Sequence, residues 1–198
     1  MKDKENKNTS LIFVVSGPSG SGKTTLLKRV LASKPLKKKL VKSISITTRP
    51  KRSGEREARD YFFVKPLEFQ RLNKAKKILE WTRYLGYHYG TKKDFLEERL
   101  TSGKSLALCL DLKGALKLKK LYPENTVTIF IDPPSIRELR KRIEGRCSKT
   151  KQEEINRRIR LAVGELKNSR RYDYVLKNKN LSQAEEKLKE IILKEMEA

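Results

Sequence analysis

Cysteine is scarce in this chain. Among 198 residues only Cys109 and Cys147 occur, too few and too isolated for a disulfide framework or a zinc site, so a reducing, cytoplasmic setting suits it best. The single histidine, His88, reads as a partly exposed loop residue, and the single tryptophan, Trp81, as local packing rather than a stacking platform. No apolar run approaches the length of a membrane span, so no membrane association is expected. Residues 1 to 10 are polar and charged, without the apolar run of a signal peptide, and read as a loose tail. Acidic charge is also in short supply: 24 acidic side chains face 48 basic ones, for a net charge of +24. Such a field attracts anions, nucleotides and nucleic acids included, without choosing among them. Lysines such as Lys37, Lys38, Lys39, Lys119 and Lys120 read as a solvated coat. No basic motif with interleaved aromatics accompanies them, so no nucleic-acid partner is expected.

What is present describes a globular protein. Hydrophobic and charged residues each make up 36% of the chain, which fits a packed core under a heavily charged surface. Leu11 to Val15 is a short β-branched run that reads as a buried parallel strand, and residues 24 to 31 follow with helical spacing up to Pro35. Val41 to Thr48 predicts a strand, Tyr61 to Val64 a second, Leu67 to Leu79 a helix, and Leu85 to Tyr89 a short aromatic strand. Positions 43 to 91 are therefore expected to form an inserted lobe, between core segments 11–42 and 92–198. Its strands would pair with one another, their connections being too short for parallel crossovers. Strands at Leu106–Leu110, Val127–Ile131 and Tyr174–Leu176 then alternate with helices at 95–100, 115–121, 136–143, 153–166 and 184–193. That alternation, with no internal repeat, predicts an α/β fold: a parallel sheet flanked by helices.

The first turn carries the strongest motif. Gly17, Pro18, Ser19, Gly20, Ser21, Gly22, Lys23 and Thr24 complete the pattern of a phosphate-cradling loop (P-loop) between a strand and a helix. Glycines let the backbone curl so that several N–H groups face phosphate oxygens, and the following helix points its positive end at the same place. Lys23 is placed to reach the β and γ phosphates of a nucleoside triphosphate, and the Thr24 hydroxyl to bind magnesium.

Further motifs say where a phosphoryl group would go. Ser45-Ile-Thr-Thr-Arg-Pro-Lys-Arg-Ser-Gly-Glu is followed by Asp60-Tyr-Phe-Phe-Val, and later by Glu80-Trp-Thr-Arg-Tyr-Leu-Gly-Tyr-His-Tyr-Gly-Thr. Together with the phosphate loop, this ordered set resembles the guanylate kinase family from about Leu11 to about Leu193. The resemblance implies ATP as donor with Mg2+, GMP and dGMP as acceptors, and a place in guanine nucleotide synthesis and recycling. It implies that positions 43–91 are a small mixed α/β GMP-binding lobe and that about 142–158 form a helical lid. Arg49, Arg52, Tyr61 and Tyr89 would hold the GMP phosphate, since guanidinium forks and phenolic hydroxyls suit a group with several acceptor oxygens. Glu80 would read guanine, whose ring N–H and exocyclic amine are neighbouring donors that an ionised carboxylate matches as a pair. Ser45 and Thr91 would assist it, and Asp111 would help hold the GMP side or a magnesium-bound water. The lid arginines Arg142, Arg146 and Arg158 would close over the transferring phosphoryl and join Lys23 and Arg49 as the catalytic set. Thr25 and Asn178 would complete the ATP site. The sequence leaves a monomer or a homodimer open.

The chain departs from the family pattern in places. Cys109 stands where one of two acids is common at the end of the strand from Leu106, and a thiol cannot replace a hard oxygen ligand for magnesium. Ala58 and Cys147 occupy positions that are often glycine, which is awkward wherever φ is positive. The lid is one residue longer before Arg158, and the proline after Arg49 is shifted while both arginines stay three apart. Three other readings compete: a kinase of the same fold with a different acceptor, a non-catalytic module that binds partner proteins, and a nucleic-acid binder. Retention of Glu80, Thr91, Tyr61 and Tyr89 opposes the first. An intact Lys23 and Thr24 oppose the second, because such modules have typically degraded their ATP loop.

Overall fold

The computed structural model describes residues 10–145 and 152–198. Five strands form one parallel sheet in the order β2 (Leu40–Lys42), β7 (Ser105–Cys109), β1 (Ile12–Ser16), β8 (Thr126–Asp132), β9 (Tyr174–Lys177). Every residue of β1 is buried, which is what a β-branched run predicts for a central strand covered on both faces. Alternate side chains serve opposite faces. Phe13 and Val15 pack with Leu26, Leu27 and Val30 of α1 (Lys23–Ala32) and with Leu188 and Ile192 of α7 (Leu181–Glu197). Ile12 and Val14 pack with Leu96 of α3 (Lys93–Thr101), Leu118 of α4 (Leu112–Leu121), Phe130 and Tyr172. The chain leaves β1 for α1 and returns at β2, on the far side of β7, so β1 ends in the crevice where strand order reverses. In open α/β sheets that crevice is the usual ligand position.

A second, four-stranded sheet runs β4 (Phe62–Phe63), β3 (Ile46–Thr47), β6 (Tyr87–Lys92), β5 (Ile78–Tyr84). Its core is Ile46, Phe69 and Ile78, flanked by Phe62, Val64 and Leu72. Here the structure corrects several sequence expectations. The single strand expected over Val41–Thr48 is split: β2 joins the large sheet and β3 the small one. β3 and β4 pair in parallel, because the connection from residue 48 to residue 61 is long enough for a crossover after all. The helix expected to reach Leu79 stops earlier, as α2 (Pro66–Lys74), because Lys76 turns into the left-handed region with φ +55°. The apolar residues Ile78 and Leu79 belong instead to β5, which joins β6 through a tight turn at Leu85 (φ +48°) and Gly86 (φ +89°). Two consecutive positive φ values mark a turn of the kind that matches strand twist. Beyond the sheet, α5 (Ile136–Glu144) and α6 (Gln152–Lys167) pack through Leu139, Ile143, Ile155 and Ala162, and a 3-10 turn (Ser169–Arg171) leads to β9.

Ala58 sits at φ +54° on an exposed turn closed by its N–H donating to the Tyr61 carbonyl at 3.0 Å. An L residue there carries about 1–2 kcal/mol of strain that glycine escapes, offset in part by glycine's greater freedom when unfolded. Ala58→Gly is therefore expected to stabilise the protein by up to about 1 kcal/mol, read as a higher midpoint in urea with an unchanged slope.

Candidate active site

The phosphate loop joins β1 to α1 at the crevice. Its glycines are required by space as much as by φ. At Gly17 (φ +138°) a Cβ would lie 2.5 Å from the Ile131 carbonyl oxygen, and at Gly22 (φ +94°) 2.4 Å from Nδ2 of Asn178. Within the loop Ser21 N–H donates to the Pro18 carbonyl at 3.0 Å, and α1 begins with Leu26 N–H donating to the Gly22 carbonyl at 3.0 Å. Lys23 folds over the loop and donates from Nζ to the Pro18 carbonyl at 3.2 Å. Thr24 and Thr25 are exposed in the first turn of α1. Among the described residues Ser21 Oγ is the one buried side-chain polar atom with no hydrogen-bond partner. Asn178 lies beneath this loop, 3% exposed, and donates from Nδ2 to the Ser21 carbonyl at 2.7 Å.

Across the crevice, the small sheet gathers the second group. Glu80 and Thr91 are cross-strand partners on β5 and β6, and a register shift between Ile78 and Glu80 aims the carboxylate inward. Glu80 is 2% exposed and accepts a hydrogen bond from Thr91 Oγ1 at 2.6 Å. Its other oxygen lies 2.7 Å from where a Cβ on Gly114 would be, so a larger residue at that place in α4 would push the carboxylate from its seat. Burial pushes the Glu80 carboxyl up to about 7; the Thr91 hydrogen bond and Lys117 oppose this, and Asp111 adds to it. Asp111 caps α4, accepting from Gly114 N–H at 2.8 Å. Ser45 lies half-buried in the link from β2 to β3, its carbonyl accepting from Phe62 N–H at 2.9 Å.

Arg49, 7% exposed, is the most constrained cation of the lobe. Its guanidinium donates to both Glu55 oxygens at 2.7 and 3.0 Å and to the Pro50 carbonyl at 2.7 Å, and lies 5.3 Å from the Tyr61 ring centre. Tyr61 meets Tyr89 edge-on at 6.0 Å. Burial, and then Tyr89, raise the Tyr61 pKa, so its hydroxyl stays a donor at neutral pH. Burial would raise the Glu55 carboxyl too, but hydrogen bonds from Arg49 and from the Arg52 backbone outweigh it and hold Glu55 below the usual range. Arg52 itself is exposed. His88 stacks on Phe69 at 5.2 Å and meets Trp81 at 5.3 Å, so both singular residues pack together on this sheet.

The helical segment supplies Arg158 from α6, which is paired with Glu154 and reaches Ser19 Oγ of the loop at 3.4 Å. Arg142 stays on α5, paired with Glu138 at 3.2 Å. Arg146 and Cys147 lie outside the described residues. Cys109 ends β7 within electrostatic reach of Lys23 and Tyr61, and burial raises its thiol pKa.

Three participants escaped the sequence reading. Tyr84, at the end of β5, hydrogen-bonds Ser19 and feels Arg158, so one loop hydroxyl meets both the small sheet and α6. Glu165 of α6 faces Lys23 and Asp111; burial raises its pKa against the pull of Lys23. Gly114 is the third, and here a signal existed. A glycine in the first turns of a helix costs roughly 1 kcal/mol relative to alanine and needs a packing reason. For Tyr84 and Glu165 no local pattern carried one, since their partners are distant in sequence.

Similarity to known proteins extends over nearly the whole chain. The family model described as guanylate kinase matches residues 9–195. A guanylate kinase of Geobacter sulfurreducens is 42% identical over 189 residues, covering 96% of this chain and 91% of the relative. One from Caldanaerobacter subterraneus subsp. tengcongensis is 41% identical over 189 residues, covering 96% and 89%. A crystal structure of guanylate kinase from Anaplasma phagocytophilum superposes with a TM-score of 0.78 at 33% identity, covering 96% of this chain and 88% of that one. With a family model spanning nearly all of its length and relatives this similar, the chain belongs to the guanylate kinase family.

Proposed function

We propose that the protein transfers the γ-phosphoryl group of ATP to GMP, and to dGMP, giving ADP and GDP or dGDP. The observation that carries this reading is the buried Glu80 carboxylate, seated beside Thr91 and Gly114 and across the crevice from a complete phosphate loop. Guanine presents two neighbouring donors to an ionised carboxylate, whereas adenine would place a ring acceptor against it in a nearly dry site. Arg49, Arg52, Tyr61 and Tyr89 hold the GMP phosphate, with Glu55 keeping the Arg49 fork in place before the nucleotide arrives.

Phosphoryl transfer asks for in-line positioning and for positive charge where negative charge spreads. The amides of the loop and Lys23 grip the donor phosphates. Arg158, already at Ser19, adds a cation beside the loop, with Arg142 and Arg146 joining from the lid. Asp111 keeps the N-terminus of α4 in register beneath Glu80. Among the described residues no cluster of three or more His, Cys, Asp or Glu could cage a metal. The residues fit a magnesium ion that arrives on the phosphates and takes the exposed Thr24 hydroxyl as its protein ligand. Such an ion would offset charge on the β and γ oxygens.

A coupled assay of ADP formation across nucleoside monophosphates and sugar phosphates tests the assignment. GMP and dGMP should be preferred, and equal rates with AMP would sink it. Glu80→Gln should lower kcat/KM for GMP by roughly 100-fold, the worth of a charge-assisted hydrogen-bond pair, with KM for ATP within about twofold.

The raised Glu80 pKa makes the same residue visible in pH profiles. In the free protein the carboxyl is largely protonated below about 7 and must ionise to accept from guanine, so kcat/KM for GMP should rise with pH up to about 7 and then level. The GMP phosphate itself ionises near pH 6, and that inflection persists in Glu80→Gln, so the difference between the two profiles isolates the side chain. The linkage runs the same way in stability. A carboxyl whose folded pKa is raised from 4.5 to about 7 stabilises the fold fully below pH 4.5 and loses that contribution as pH rises to about 7. Glu80→Gln should thus unfold at higher urea than the parent at pH 8, and lose that advantage at pH 4.

Arg158→Ala should reduce turnover by roughly 100-fold while the dissociation constant for GMP stays within about twofold. A loss confined to GMP affinity would remove Arg158 from the transfer step.

A further inference from the structure

Resting on the reading of the phosphate loop as the ATP site, we propose that Asn178 is a positioning residue that acts through the Ser21–Gly22 peptide, not a reader of the adenine base. Asn178 follows β9, and its own N–H donates to the Asp132 carbonyl at 2.7 Å, at the end of β8. Two sheet strands therefore fix its backbone. Its side chain is turned inward, 3% exposed, and Nδ2 donates to the Ser21 carbonyl at 2.7 Å. A trans peptide is planar, with its C=O and N–H pointing in opposite directions. Holding the Ser21 oxygen inward therefore holds the Gly22 N–H outward, toward the mouth of the loop, where phosphate oxygens bind.

The fit between the two is close. A Cβ at Gly22 would stand 2.4 Å from the same Nδ2 atom, so the loop and the amide pack as mates, and Gly22 at φ +94° occupies the space that Asn178 leaves. At 3% exposure the side chain offers little surface to a base, and its amide donor is committed to the loop, which leaves Oδ1 alone for any other partner. The contact also ties the loop to β9 at the far edge of the sheet, across residues 21 and 178, beyond the reach of any local sequence pattern.

Direct titration of ATP, GTP and inorganic tripolyphosphate separates the two roles. Asn178→Ala and Asn178→Ser should weaken all three ligands by the same factor, about tenfold, while GMP binding stays within about twofold. Asn178→Asp should be worse than either, since a carboxylate would face the Ser21 carbonyl with no donor and add negative charge near the phosphates. In turnover, the loss should fall on KM for ATP and on kcat, with KM for GMP unmoved. A loss seen with ATP but not with tripolyphosphate would return Asn178 to the base site and overturn the proposal. Wild-type affinity in all variants, or GMP binding lost in parallel with the triphosphates, would overturn it as well. A parent protein that binds no triphosphate would sink the donor-site reading along with it.

Discussion

The structure depends on a turn that cannot hold itself. A phosphate loop works by pointing backbone N–H groups outward at one place, which leaves its carbonyls pointing inward, where each needs a donor. Some of that need is met within the loop, by Ser21 N–H on the Pro18 carbonyl and by Lys23 on the same oxygen. Part of the rest comes from the sheet: Asn178 takes the Ser21 carbonyl, while Ser16, the last residue of β1, anchors the entry to the loop by donating its hydroxyl to the Leu110 carbonyl at 2.6 Å. The central position of β1 follows from this demand. Flanked by β7 and β8, its end is surrounded by strand termini that can supply donors and fill the space denied to side chains at Gly17 and Gly22.

The small sheet meets the opposite problem, which is how to bury charge before a ligand arrives. It uses two answers. Arg49 is paired outright with Glu55, so its burial is compensated within the lobe and the fork is set in one orientation. Glu80 is raised to about 7 by burial, which the Thr91 hydrogen bond and the field of Lys117 oppose without cancelling. One group is held ready by a partner, and the other is left wanting partners. A ligand that brings two donors gains most at the second, so Glu80 is where selection among bases can be strongest.

The parts legible from sequence were those whose physics is local. The β-branched run into a glycine turn placed β1, the loop and α1, and the alternation of strands and helices gave the parallel sheet. The lobe was harder, because its strands are two to seven residues long and the helical spacing of Leu67 and Leu72 runs on smoothly into Ile78 and Leu79. A single left-handed residue, Lys76, breaks that run, and lysine carries no turn signal. The pairing of β3 with β4 also depended on how a long arginine-rich loop folds, which periodicity does not see. Within the site, Glu80 and Thr91 were found through a family pattern, while the reason they face each other is a cross-strand register set at a bulge. Glu165 shows the limit most plainly. On α6 it reads as one more surface acid, and only the packing of that helix over the crevice turns it toward Lys23.

That placement bears on the end of β7, where Cys109 stands. Cys109 cannot offer a hard oxygen, and its thiol is held neutral by burial. Asp111 is committed to capping α4, and Glu165 is a carboxylate whose field meets Lys23. With Cys109 neutral, no thiolate charge is added beside Lys23. Cys109 therefore reaches both halves of the site, the field of Lys23 on the donor side and of Tyr61 on the acceptor side, while Glu80, Thr91 and Gly114 fit together without it.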